Sequence, residues 1–135
     1  ALIFKRSTGT SITNFRKGER KQRNFRVIKI GLELSREELY ARINERVDDM
    51  MQQGLLDEVK ALYPLKDLKN LQTVGYTELF NYLDNEYDLD EAVTKIKQHT
   101  RNYAKRQMTW FRKDEEMHWL HADDPQIIEK ILAIK

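Results

Sequence analysis

Apolar residues recur along this chain at two spacings, and the switch between them marks out its elements. Phe25 and Val27 alternate with polar neighbours, the phase shifts at Ile28, and Ile28, Ile30, Leu32 and Leu34 continue with a period of two. That pattern predicts a strand over residues 25–34. Ser35 with Glu38 three residues on makes a capping box, and Leu39, Ile43, Val47 and Met50 then keep helical spacing up to Gly54, a C-terminal stop. A further helix over residues 55–63 ends at Pro64, since proline disfavours helical geometry in the residue before it. Residues 66–73 read as a linker anchored by Leu68 and Leu71. Val74, Gly75 and Tyr76 open the next helix, which runs through Leu79, Phe80, Tyr82 and Leu83 and closes at Asp84-Asn85-Glu86.

Residues 90–113 form one long amphipathic helix, followed by a short extended piece at Trp119-Leu120-His121 and a last helix over residues 125–134. Upstream, residues 1–5 read as the end of a helix or strand, residues 7–11 as a turn-rich break, residues 11–16 as a short helix and residues 18–24 as a mobile basic loop. The strand at 25–34 is the one convincing strand. It must pair with something, and a sheet whose other strands lie outside this sequence is the expected partner. The fold class is therefore mainly α, with one strand belonging to a larger sheet.

Charge sharpens the reading of the long helix. At 100° per residue, Val93, Ile96, Thr100, Ala104, Met108 and Phe111 share one face, and Lys97, Arg101, Lys105 and Arg112 form a stripe along its edge. From Lys95 to Lys113 the sequence has no Asp or Glu. A solvated helix face carries Lys and Arg too, but it usually mixes signs and forms i,i+4 pairs, which this stripe lacks. Phosphate is the simplest complement. The net charge of +2 over 135 residues hides a basic beginning, in which Lys5, Arg6, Arg16, Lys17, Arg20, Lys21, Arg23 and Arg26 face Glu19 alone, and an acidic middle from Glu33 to Asp90. Two basic surfaces converging on one polyanion fit that distribution.

Other classes fall away. The length suits one core. Absence of cysteine excludes disulfides and thiolate metal sites, and no apolar run reaches the roughly 20 residues of a membrane helix. A cytoplasmic location without a membrane partner is expected. The sequence holds no Gly-rich phosphate loop, no His pair at metal spacing and no nucleophile with an evident base. His118 and His121 flank Trp and Leu on an extended piece and make a poor metal pair, and Asp48, Asp49, Asp57 and Glu58 read as surface carboxylates. The glycine before Tyr76 lets backbone or ligand approach closely, and free N–H groups at that helix start favour anions.

The order of segments is more telling than any one of them. Arg42-Ile43-Asn44-Glu45-Arg46 on the capped helix is followed by Gly54-Leu55-Leu56-Asp57-Glu58-Val59, then by Val74-Gly75-Tyr76, then by a run from Thr100 through Lys105-Arg106-Gln107-Met108-Thr109-Trp110-Phe111-Arg112. Together these resemble the C-terminal part of the tRNA dimethylallyltransferase (tRNA isopentenyltransferase) family over nearly the whole chain. The Lys-Arg-Gln-x-Thr-Trp-x-Arg run is its most specific element.

The resemblance implies a transferase of tRNA processing and modification, a prenyltransferase moving a dimethylallyl group from dimethylallyl diphosphate to N6 of adenine 37 in tRNA. It implies a P-loop-like, nucleotide-binding α/β core whose phosphate loop, general-base aspartate and magnesium ligands precede the region present here. The chain, which starts Ala-Leu-Ile-Phe without Met, is thus expected to be a C-terminal fragment inactive alone, with magnesium bound elsewhere in a monomeric full-length enzyme. Three parts are expected: residues 1–24 as the end of a helical insertion arm with its basic loop, 25–34 as a core strand, and 35–135 as the C-terminal helical part of the catalytic core.

By the same resemblance Arg46, the second arginine of Arg-Ile-x-x-Arg, is catalytic, holding the diphosphate and the charge that develops on it. Gln72, Thr73, Val74, Gly75, Tyr76 and Thr77, with Lys105, Arg106, Gln107, Met108, Thr109, Trp110, Phe111 and Arg112, are implied tRNA contacts, and Lys97 and Arg101 are further possible RNA contacts. Many members carry a basic residue after Val-Gly-Tyr where this chain has Thr77, which weakens a phosphate contact there. Extruding a base from the anticodon loop calls for such phosphate clamps and planar covers. Gln107 falls on the otherwise apolar helix face, where an unpaired amide is costly, and Trp110 suits either RNA or the core. A freestanding RNA-binding helical module and a protein-interaction helical bundle are the alternatives. Self-association through the exposed strand edge is a further expectation.

Overall fold

The computed structural model describes residues 2–10 and 24–134. The short helix expected at 11–16 and nearly all of the basic loop at 18–24, with Arg16, Lys17, Arg20, Lys21 and Arg23, lie outside the described residues.

Where the sequence places strong local signals, the elements follow them. α1 (Leu2–Thr8) ends at Gly9, whose φ of 72° lies in the left-handed region. β1 (Lys29–Glu33) leads into α2 (Arg36–Gln52). Here Ser35 Oγ accepts the Glu38 N–H at 3.2 Å and the Glu38 carboxylate accepts the Ser35 N–H at 3.0 Å, a complete capping box. α3 (Leu55–Leu62) gives way at Pro64 to a 3-10 turn, Tyr63–Leu65, and a second such turn, Lys69–Leu71, interrupts the expected linker. α4 (Tyr76–Leu83), α5 (Leu89–Phe111), β2 (Met117–His121) and α6 (Ile127–Ala133) complete the order.

The molecule is mainly helical, as expected, but its strand is not alone. β1 pairs in parallel with β2, in a register that sets Lys29 opposite Met117 and Glu33 opposite His121. The extended piece around Trp119 is thus the partner that the sequence seemed to lack. Its length also explains why the strand begins at Lys29 rather than Phe25: β2 starts opposite Lys29, and residues 25–28 carry no ladder. The pairing satisfies one edge of β1 and leaves its other edge open among the described residues.

Two features fix the register. Lys29 Nζ donates to Asp114 at 2.8 Å and to Glu116 at 2.7 Å just ahead of β2, and these bonds, Asp114 first, hold the Lys29 ammonium above its ordinary range. Gly31 lies under Trp119, whose ring carbons stand 2.7 Å from where a Cβ would be. The core lies elsewhere, among the helices: Val47, Leu55, Val59, Leu79, Phe80, Ala92 and Ile96 form one buried cluster of α2, α3, α4 and α5. Burying such side chains contributes about 1.5–3 kcal/mol each and holds the helices that carry the candidate site.

Candidate nucleic-acid interface and cleft

Three segments distant in sequence enclose a cleft of about 460 Å³: Ile43, Arg46, Val47 and Met50 from α2, Thr73, Val74 and Gly75 from the turn before α4, and Ile96, Thr100 and Tyr103 from α5. Arg46 is exposed on α2, one turn after buried Ile43 and directly before buried Val47, at the edge of the apolar face where it lines the cleft. Gly75 has φ 100°, and no heavy atom stands within 4 Å of where its Cβ would be, so glycine is required there by backbone conformation rather than by crowding.

A buried carboxylate holds that turn. Glu78, only 4% exposed, accepts the Gly75 N–H at 2.7 Å through Oε2, and His99 Nδ1–H of α5 donates to its other oxygen. A carboxylate can only accept, which puts the His99 proton on Nδ1. Tyr87 adds a bond from its hydroxyl to the Glu78 carbonyl at 3.0 Å. The anion-favouring helix start read from the sequence is therefore met, at Gly75, by the protein's own carboxylate. Neither Glu78 nor His99 was legible as a pair, because their contact depends on how α4 and α5 pack.

The remaining implied contacts of this turn are mixed. Gln72 is exposed but its amide donates to the Lys66 carbonyl at 2.6 Å. Thr73 and Val74 are exposed, and Thr77 is half-buried. The Tyr76 hydroxyl donates to Glu58, and that bond, with a smaller contribution from burial, pushes the phenol above its usual range.

Beyond Ala104, α5 runs past the helical core, and its surface opens. Lys105, Arg106, Gln107, Thr109, Trp110, Phe111 and Arg112 are exposed, and Met108 is half-buried. Gln107 is thus not on a buried face. It lines a small cleft with Ile30, Gly31 and Trp119, because the core partners of α5 end near Thr100. Trp110 is 68% exposed and touches Phe111 edge-on at 5.0 Å, so the core of the described residues does not bury it.

The basic stripe is only partly without acids. Asp48 of α2 pairs with Lys97 at 2.6 Å, Asn44 accepts from Arg101 at 2.7 Å, and Glu33 pairs with Arg112 at 3.2 Å. Acids absent from the helix are thus supplied by its neighbours to Lys97 and Arg112, whereas Arg101 meets a neutral amide. Lys105 and Arg106 have no carboxylate at ion-pair distance among the described residues, and Arg106 lies 5.8 Å over the Tyr103 ring. On the other side of α5 a second cleft, of about 390 Å³, sets Arg36, Lys105 and Arg112 around Leu34, Leu39 and Tyr40. Among the described residues no three His, Asp or Glu side chains come together as a metal site, and His121 stands 3.4 Å from Glu38. Among the described residues no helix is long and apolar enough to cross a membrane.

Against known proteins, the family model described as IPP transferase matches residues 1–114. The tRNA dimethylallyltransferase 1 of Bacteroides thetaiotaomicron is 53% identical over 128 residues, covering 95% of this chain and 42% of that protein. Two crystal structures share the fold. The full-length tRNA isopentenylpyrophosphate transferase of Bacillus halodurans superposes with a TM-score of 0.74 at 40% identity, over 82% of this chain and 38% of that one. The tRNA delta(2)-isopentenylpyrophosphate transferase of Staphylococcus epidermidis gives 0.73 at 36% identity, over 98% and 45%. The chain spans about 40% of the length of the curated relatives it matches, and by these matches it belongs to the IPP transferase family.

Proposed function

We propose that this chain forms the tRNA-gripping and diphosphate-holding part of a tRNA dimethylallyltransferase, which moves a dimethylallyl group from its diphosphate to N6 of adenine 37 beside the anticodon. The supporting observation is that Arg46 and the 73–75 turn, far apart in sequence, line one cleft flanked by the exposed basic and aromatic end of α5. In this reading Arg46 neutralises the charge that grows on the departing diphosphate. Lys105 and Arg106 hold the phosphates of the anticodon loop, while Trp110 covers an unstacked base. Thr73, Val74 and Gly75 offer a small-residue wall along which the RNA backbone runs. Magnesium is assigned to ligands other than the described residues.

The test is single-turnover dimethylallyl transfer to an anticodon stem-loop by the whole gene product. Arg46→Ala is expected to lower the transfer rate about 100-fold, in the range for losing one preorganised donor, while leaving RNA affinity within about twofold. Normal transfer by Arg46→Ala refutes the assignment of Arg46. Equal loss of affinity and rate moves Arg46 from the diphosphate to the RNA.

A further inference from the structure

The cleft of Arg46 has one aromatic wall, and the motif reading left it unassigned. Among its lining residues Tyr103 alone carries a ring, against the aliphatic side chains of Ile43, Val47 and Met50 on the facing helix. Tyr103 is 53% exposed, so it is not held there by the core. The Arg106 guanidinium lies over one face of the ring, at 5.8 Å from its centroid. Tyr103 and the exposed Trp110 are seven residues apart on α5, almost in line, so their backbone positions lie roughly 10 Å apart along one side of the helix. One ring is in the cleft and the other is on the open surface.

Resting on the proposed function, we infer that Tyr103 positions the extruded target purine, stacking on it through the face that Arg106 leaves open, while Trp110 serves a neighbouring base outside the cleft. A base taken from its stack forfeits its stacking partners and needs a planar replacement at its destination. The facing aliphatic wall offers no such surface. The cleft volume of about 460 Å³ falls within the ~300–1,000 Å³ typical of small-molecule sites, which leaves room for a purine beside a short prenyl group. Tyr103 therefore governs the rate of transfer, and Trp110 governs affinity.

The experiment uses the whole gene product, an anticodon stem-loop carrying 2-aminopurine at the target position for fluorescence, and the same stem-loop with adenine for transfer. Variants are Tyr103→Phe, Tyr103→Leu, Tyr103→Ala and Trp110→Ala. Stacking on a ring quenches 2-aminopurine, so Tyr103→Leu and Tyr103→Ala should leave the bound probe brighter and slow single-turnover transfer about 10- to 100-fold. RNA affinity should change less than threefold. Tyr103→Phe should match the wild type in both readouts, and Trp110→Ala should weaken RNA affinity.

Wild-type quenching and rate in Tyr103→Leu overturn the inference and leave the proposed function standing. So does a raised KM for the prenyl diphosphate with RNA behaviour unchanged, which reassigns Tyr103 to the prenyl group. A wild-type protein that binds the stem-loop but transfers nothing overturns the proposed function and this inference together.

Discussion

Replacing Glu78 by alanine tests whether one buried carboxylate holds the wall of the cleft. The Glu78 side chain is 5% exposed and that of His99 48%, so the two hydrogen bonds are unequal. Removing the acceptor of the Gly75 N–H leaves a buried donor unpaired, and a bond to an ionised group contributes roughly 1.5–3 kcal/mol. His99, half in water, turns to solvent at little cost. Relief of the carboxylate's own desolvation offsets part of the loss, for a net destabilisation of about 2 kcal/mol. Glu78→Gln keeps the volume and an oxygen to accept the Gly75 N–H, and should cost about 1 kcal/mol. Urea unfolding followed by tryptophan fluorescence gives the stabilities, and amide hydrogen exchange at Gly75 reports the turn. A Glu78→Ala stability within 0.5 kcal/mol of wild type, the range of neutral surface changes, refutes the reasoning. So does unchanged protection of the Gly75 amide.

Leu79, fully buried in the helical cluster, should lose about 3 kcal/mol on change to alanine, whereas Lys97→Ala, at a half-exposed pair with Asp48, should lose at most about 1 kcal/mol; the reverse order in urea unfolding contradicts the placing of the core. Gly31→Ala drives a methyl into the Trp119 ring and should destabilise by about 1–3 kcal/mol with a shift in tryptophan emission, and a neutral result means that β1 and β2 pair differently. Lys66 and Tyr63 hold the Asp84 carboxyl below its usual range, as Lys29 does for Asp114 and Lys130 for Asp124. Depressed carboxylates stabilise above their unfolded pKa near ~4 and lose that contribution as pH falls through the folded values, so the urea midpoint should drop as pH falls below about 4.5. Asp84→Asn should flatten that acid limb, and an unchanged slope counts against the Lys66–Asp84 pair.

The helices were legible because their signals are local. Ser35 with Glu38, Gly54, Pro64 and Gly75 each punctuate the chain within one turn of the boundary they set. The extended piece at Trp119 was legible but its pairing with β1 was not, because Met117 to His121 alternates only weakly and its partner lies more than 80 residues upstream. Helix-wheel placement also overextended the apolar face of α5: Gln107 sits where that face would continue, but there it lines an open cleft against β1 and β2 and stays exposed. The same limit applies to charge, since the acids that meet Lys97 and Arg112 come from α2 and β1. Arg46 and the 73–75 turn were found through sequence motifs. Their sharing of one cleft with Tyr103, and the Glu78–His99 bond behind it, are tertiary facts that depend on the packing of α2, α4 and α5.

The most direct measurement is fluorescence anisotropy of a labelled anticodon stem-loop against this chain from 50 to 300 mM salt, beside a Lys105→Ala, Arg106→Ala double variant. Two lost phosphate contacts on a single-stranded loop should weaken binding at low salt and flatten the dependence of log affinity on log salt by about 1.4, or ~0.7 per phosphate. Equal slopes for the two proteins contradict a phosphate-holding role for the end of α5.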